Sequence, residues 1–224
     1  MIDQLIIGDK ASCDDYGASV ASRKIVPPKK KEIKETVPFS NVTYDFSAIN
    51  GEQYWEEREL EYTLEIIAPT PEELERKKTA FSAWVMNIVE EYLIDPYDPD
   101  YHYIATFNDL SYDDDESLEK TTATVKFKAY PYKITNKPKE YVFIVPANGE
   151  IEATIFNDSA HRLTPTFICD VALNVKIGDT NYSIPAGEIT DGVLKLAVGG
   201  NTFKISSVAE TGGNLTVRFN EELF

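Results

Sequence analysis

The chain has 224 residues, 42% hydrophobic and 12% aromatic, enough apolar side chain to offset the ordering entropy and to exclude a disordered polymer. Its 22 basic and 38 acidic residues leave a formal charge of −16, which repels nucleic acid and anionic lipid as main partners. No run approaches the roughly 20 apolar residues of a bilayer span, so membrane insertion is not expected.

The opening, Met1 to Gly8, lacks the basic flank and long apolar run of a signal peptide. In the first part, Pro27 to Glu35 reads as a polar loop or an edge hairpin arm. Tyr54 and Trp55 follow. Trp55 is either an inter-subunit anchor or a lid over the local core, and the residues leave both open. Leu60, Tyr62, Leu64 and Ile66 alternate with Glu59, Glu61, Thr63 and Glu65, the period of a half-buried strand over Leu60–Ile67.

Thr70-Pro71-Glu72-Glu73 then predicts a helix start, with Thr70 as N-cap, Pro71 in the first turn and Glu73 completing a capping box. Leu74, Phe81, Trp84, Val85, Ile88, Val89 and Tyr92 recur at helical spacing, so the helix is expected to run until Asp95-Pro96. Strands are predicted over Tyr101 to Phe107 and Thr121 to Tyr130. One helix over a mostly antiparallel sheet is the expected α+β domain, residues 1–133.

Pro131 and Pro138 bracket the expected boundary, since each removes a ladder donor. The charge texture changes there too: 15 basic and 27 acidic residues before it, 7 and 11 after. Residues 134–224 read as strands throughout: Tyr141–Val145, Ile151–Phe156, Thr164–Asp170, Leu173–Ile177, Thr180–Ile184, Val193–Ala197, Phe203–Ser206 and Leu215–Phe219. Turn signals at Asn148-Gly149, Gly178-Asp179, Asp191-Gly192, Gly199-Gly200 and Gly212-Gly213 separate them, which predicts a β-sandwich. The chain is therefore expected to be mainly β.

Chemistry-bearing groups are sparse. Asp95-Pro96-Tyr97-Asp98-Pro99-Asp100-Tyr101-His102-Tyr103 holds carboxylates and an imidazole, but it lacks the Gly turn and terminal Glu of a calcium loop. Asp113-Asp114-Asp115-Glu116 reads as a solvated loop tip. Cys13 and Cys169 show no metal or redox spacing, and a reducing cytosol fits them. Neither His102 nor His161 joins a nucleophile elbow, so no catalytic residue, metal site or cofactor is assigned. Carbohydrate binding by the sandwich is the competing reading. Of its aromatics Tyr141, Phe143, Phe156, Phe167, Tyr182, Phe203, Phe219 and Phe224, most alternate toward the core.

The order of features resembles the distal tail (Dit) family of long-tailed bacteriophages and prophages. The resemblance rests on Asn50-Gly51, Arg58 before its strand, the helix ending in Trp84, the acidic loop 95–100, and Val125-Lys126-Phe127-Lys128-Ala129-Tyr130-Pro131-Tyr132. In the second part it rests on Ile155-Phe156-Asn157-Asp158, Thr164-Pro165-Thr166-Phe167 and the segment Val193 to Ile205, read as strand, Gly-Asn turn and return strand. The glycine-rich step often found near Val37-Pro38-Phe39-Ser40-Asn41 is missing. The resemblance implies a homo-hexameric ring built by residues 1–133 and a galectin-like sandwich at its periphery. It places the ring between the tail tube protein and the tail-associated hub protein, with receptor-binding proteins as further partners. DNA would pass through its lumen unbound. The implied location is the virion tail tip, after synthesis in the host cytoplasm. Tyr54, Trp55, Leu60, Tyr62, Leu64 and Ile66 are the expected subunit-interface residues.

Overall fold

The computed structural model describes residues 4–36, 38–39, 41–48, 51–178, 180–207 and 212–224. Val37, Ser40, Asn50 and Asp179, which entered the sequence reading above, lie outside them, as do Met1 to Asp3. The chain divides into two compact units, Met1–Lys133 with Phe224, and Ile134–Leu223.

The first unit contains β1 (Ile6–Ile7), β2 (Lys10–Ala11), α1 (Ser12–Tyr16), β3 (Ala18–Ile25), β4 (Lys34–Thr36), β5 (Thr43–Asp45), β6 (Arg58–Ile67), α2 (Pro71–Val85), β7 (Glu91–Ile94), β8 (Tyr101–Asp114) and β9 (Lys120–Ala129). Its main sheet runs β2-β1-β7-β8-β9-β6-β3, with antiparallel ladders. The β6–β9 register sets Leu60 opposite Phe127, Tyr62 opposite Val125 and Leu64 opposite Ala123. All six side chains enter one core with Leu74, Phe81 and Val85 of α2. Because strand side chains alternate, Glu61, Thr63 and Glu65 must face the other way.

Helix α2 starts where its cap chemistry places it. The Thr70 hydroxyl accepts from the Glu73 amide at 3.3 Å, and Pro71 occupies the first turn. Its end differs from expectation: the helix stops at Val85, and Ile88, Val89 and Tyr92 lie beyond it. Glu90 takes a positive φ of 51° and turns the chain into β7, where Leu93 pairs with Tyr103 and with Ile7. Sheet pairing overrides a helical spacing that ran on by coincidence. Strand β8 also runs past Phe107 to Asp114, its register shifted by a bulge between Phe107 and Asp109. The elements before residue 26 had no sequence expectation at all.

After β10 (Lys133–Thr135), the second unit carries β11 (Lys139–Val145), β12 (Glu150–Asn157), β13 (Thr166–Cys169), β14 (Leu173–Ile177), β15 (Thr180–Ile184), β16 (Gly187–Thr190), β17 (Gly199–Ser207), β18 (Gly213–Phe219) and β19 (Glu222–Leu223). Two four-stranded sheets, β11-β18-β13-β16 and β12-β17-β14-β15, send Val145, Phe167, Val217 and Ile155, Val175, Phe203 into one shared core. This is a β-sandwich.

Two details correct the sequence reading. Strand β16 was not anticipated. Val193–Ala197 is no strand; it makes a single bridge, Leu196 to Leu163, and buries Leu194 and Leu196. Nor is Gly199-Gly200 a turn between strands, since β17 begins there. The Asn201 carboxamide closes the turn before it, accepting from the Ala197 amide at 2.8 Å and donating to the Ala197 and Gly199 carbonyls. A side chain that mimics backbone needs no second strand to satisfy these groups.

Both tryptophans, Trp55 and Trp84, belong to the first unit, so their fluorescence reports its unfolding alone. Phe81→Ala is expected to cost the first unit about 3–5 kcal/mol, and Glu61→Ala on the opposite face less than about 0.5 kcal/mol, read from the fluorescence midpoint in urea. In the second unit the Tyr141 hydroxyl accepts from the Phe156 amide at 3.2 Å and bonds its carbonyl at 3.3 Å, covering one step of the β12 edge. Tyr141→Phe should cost about 1 kcal/mol and, by freeing that edge, accelerate aggregation on heating, measured by light scattering.

Candidate assembly surfaces

Asp95 is 1% exposed and the sheet's main internal tether. Its carboxylate pairs with Arg23 from β3, accepts from the Tyr62 hydroxyl at 3.3 Å and from the Tyr97 amide at 2.9 Å. The Arg23 guanidinium lies over the Tyr97 ring, 4.9 Å from its centroid. Burial, with the Asp95 charge adding to it, holds the Tyr62 hydroxyl protonated far above its ordinary range. Asp98 in the same loop binds Lys133 at 2.7 Å. Asp95 and Asp98 of that loop are thus each held by a cation, and His102 sits with its ring 4.4 Å from that of Tyr92. Among the described residues no group of three or more ligating side chains converges.

The neighbouring Arg58 is 4% exposed. Its Nε donates to the Val26 carbonyl at 3.4 Å, the guanidinium lies 5.3 Å from the Tyr103 ring centroid, and Nη1 has no partner among the described residues. Burial pushes its pKa down.

The expected interface residues separate into two groups. Leu60, Tyr62, Leu64 and Ile66 are each 0% exposed. They face the unit's own core, and β6 is paired on both sides, with β3 and β9. Their side chains therefore have nothing to offer another subunit, because the amphipathic alternation that suggested an interface is consumed by α2 and the sheet. Tyr54 is 48% exposed. Trp55 is half-buried and packs edge-on against Phe224, with centroids 4.7 Å apart.

These two residues stand at the root of an arm. Lys30 bridges to Trp55, the Lys31 amide donates to the Tyr54 carbonyl at 2.9 Å, and β4 pairs with β5 to form a two-stranded hairpin. The arm exposes Ile33, Phe39, Val42, Tyr44 and Phe46, and the last two rings stack 6.3 Å apart. Lys29, Lys30 and Lys31 are exposed as well and make no ion pair among the described residues.

The helix-free face of the main sheet has two sectors. Over β6, β8 and β9 it is charged: Glu65–Lys120 at 2.8 Å and Asp109–Lys126 at 3.6 Å. Over β1, β7 and β8 the register sets Tyr92 opposite Ile104 and Ile6 opposite Ile94. A groove of about 320 Å³ is lined by Glu57, Glu90, Ile104, Thr106, Lys128, Tyr130 and Pro131. Sequence reading missed this sector, since Tyr92 was assigned to a helix and Ile6 to no element.

The remaining candidates are structural. Asp113 and Asp114 belong to β8 rather than to a loop tip, and Asp114 pairs with Lys78 at 2.9 Å. His161 bonds Glu222 at 2.7 Å. Cys169 is buried and its thiol pushed up to about 11 by desolvation; Cys13 lies in α1. Of the sandwich aromatics, Phe167, Phe203 and Phe219 are core, and Phe156 is the exposed one within the second unit. Phe224 groups with the first unit, where its ring meets Trp55 and Tyr132.

Arg23→Ala would leave the Asp95 carboxylate buried without its cation. We expect a loss of about 3–5 kcal/mol, visible in the tryptophan transition, and a smaller loss for Arg23→Lys.

No protein-family model and no curated protein sequence matches the chain. Among solved structures, it is similar to the Dit protein (gp 19.1) of phage SPP1, described as a paradigm of the hub adsorption apparatus in Gram-positive infecting phages. The TM-score is 0.69 at 12% identity, over 98% of this chain and 99% of that one. Chains of the phage P2 baseplate, in its activated conformation with Ca and with Sr, overlap at TM-scores of 0.44 and 0.45 with 7% identity and 97–98% coverage of each chain, values too low to establish a common topology. The helix-backed sheet and the sandwich therefore share their fold with SPP1 Dit.

Proposed function

We propose that the chain is a structural distal tail protein of a phage or prophage, without enzymatic activity. Six copies form a ring through their first units, and the ring joins the tail tube to the tail-tip hub. The observation that carries this reading is the arm. A single protomer leaves Ile33, Phe39, Tyr44, Phe46 and Tyr54 in water, an apolar display that another protein surface has reason to cover. The fold shared with SPP1 Dit supports the same reading. A closed ring needs heterologous contacts and no activated side chain, which agrees with carboxylates bound to fixed cations. The net charge of −12 before Ile134 suits a lumen through which DNA slides without sticking.

The second unit, which we take as galectin-like, is the peripheral module and offers receptor-binding proteins a place to attach. Tyr54 and the exposed edge of Trp55 contribute to the contacts between copies. Native mass spectrometry and negative-stain imaging of concentrated protein, alone and with the tail tube and hub proteins, should show six-fold rings of the 25.2 kDa chain. Tyr54→Ala should weaken ring formation at least tenfold while leaving the unfolding midpoint unchanged. A chain that stays monomeric in both settings overturns the proposal.

A further inference from the structure

The arm joins the first unit at a narrow root. There the Lys31 amide donates to the Tyr54 carbonyl at 2.9 Å and the Glu56 amide to the Lys29 carbonyl at 2.8 Å. The Gln53 carboxamide adds bonds to the Lys31 and Tyr54 carbonyls at 3.2 and 2.7 Å. A two-stranded hairpin is marginal in water by itself, and the arm's own apolar side chains, Ile33, Phe39, Val42, Tyr44 and Phe46, are exposed. Something else must seat its base. The Phe224 ring touches Trp55 edge-on at 4.7 Å and Tyr132 at 5.1 Å. Tyr132 is 6% exposed and fixed in place, whereas Trp55 belongs to the root, bridged to Lys30. We propose that Phe224 is a clamp that seats the arm root on the first unit by joining Trp55 to Tyr132.

Three features support the clamp. Among the described residues the main core cluster includes neither Trp55 nor Phe224, so the root does not draw its order from α2 and the large sheet. The segment before Phe224 is tied down in advance. The Asn220 carboxamide donates to the Thr135 carbonyl at 2.6 Å, the Glu221 amide to the Thr135 hydroxyl at 3.0 Å and the Glu222 amide to the Ser159 hydroxyl at 2.9 Å. A ring delivered by a segment already ordered packs with little further entropy loss. The Trp55–Phe224 planes also cross at 67°, close to the edge-to-face geometry that aromatic pairs favour. The consequence for assembly rests on the ring reading. A seated arm meets a neighbouring copy without first having to be ordered, which strengthens association without any new contact.

The test uses the full chain. In Phe224→Ala protein the Lys31 and Glu56 amides should exchange about tenfold faster than in the parent, followed by NMR, while the Tyr62 and Leu64 amides of β6 keep their rates. Phe224→Tyr retains the ring and should retain the parent rates. Unchanged exchange at Lys31 and Glu56 overturns the clamp. Faster exchange that extends into β6 overturns it as well, because Phe224 would then support the whole unit rather than the root. Association measured in parallel by native mass spectrometry should be about tenfold weaker for Phe224→Ala and parent-like for Phe224→Tyr. A loosened root with undiminished rings overturns the link from arm order to assembly and leaves the ring reading standing. A parent chain that forms no rings overturns the ring reading, and the exchange rates still decide the clamp.

Discussion

The antiparallel pairing of β6 with β9 governs what the first unit can present to the outside. With Leu60, Tyr62 and Leu64 turned toward α2, each such side chain contributes about 1.5–3 kcal/mol on burial. The register cannot slip by one residue without sending them into water and their glutamate neighbours into the core. A strand fixed this firmly, with neighbours on both sides, is scaffold. The hairpin arm and the helix-free face are among the elements the core does not claim.

Those elements are positioned by polar groups. Arg23, Tyr62 and the Tyr97 amide meet on the Asp95 carboxylate, which ties the loop before β8 to β3 and β6. A buried ion pair of this kind adds little net stability, but removing one partner is costly, so it specifies an arrangement more than it strengthens one. Lys133 on Asp98 fixes the other end of the same loop. The pairs Ile6–Ile94 and Tyr92–Ile104 form because β7 is held in register between β1 and β8. Acidic residues in this loop thus serve geometry, the opposite of the reactive role their clustering suggests.

Much of the architecture was readable in advance where local chemistry and tertiary packing agree. Thr70, Pro71 and Glu73 marked the start of α2, and the alternation in β6, β9, β14 and β15 marked strands. Reading failed where the two disagree. Ile88, Val89 and Tyr92 kept helical spacing past Val85, yet Glu90 turns the chain and Leu93 finds Tyr103 and Ile7. Val193 to Ala197 alternates like a strand, yet Asn201 satisfies the local backbone and only Leu196 forms a bridge. The amphipathic alternation in β6 carries a related ambiguity: it shows that one face is buried without saying by what.

By itself the sequence determined the mainly-β class, the cap that begins α2, the acidic surface and the alternation that builds each sheet, because these depend on residues within a few positions of one another. Only the tertiary structure decided that Arg23 meets Asp95, 72 residues away, that Leu60, Tyr62, Leu64 and Ile66 are sealed inside, and that Tyr92 lies opposite Ile104 on a face turned away from the core. Those outcomes are set by long-range strand pairing, whose register is fixed by the packing of the whole sheet and leaves no mark on any one segment.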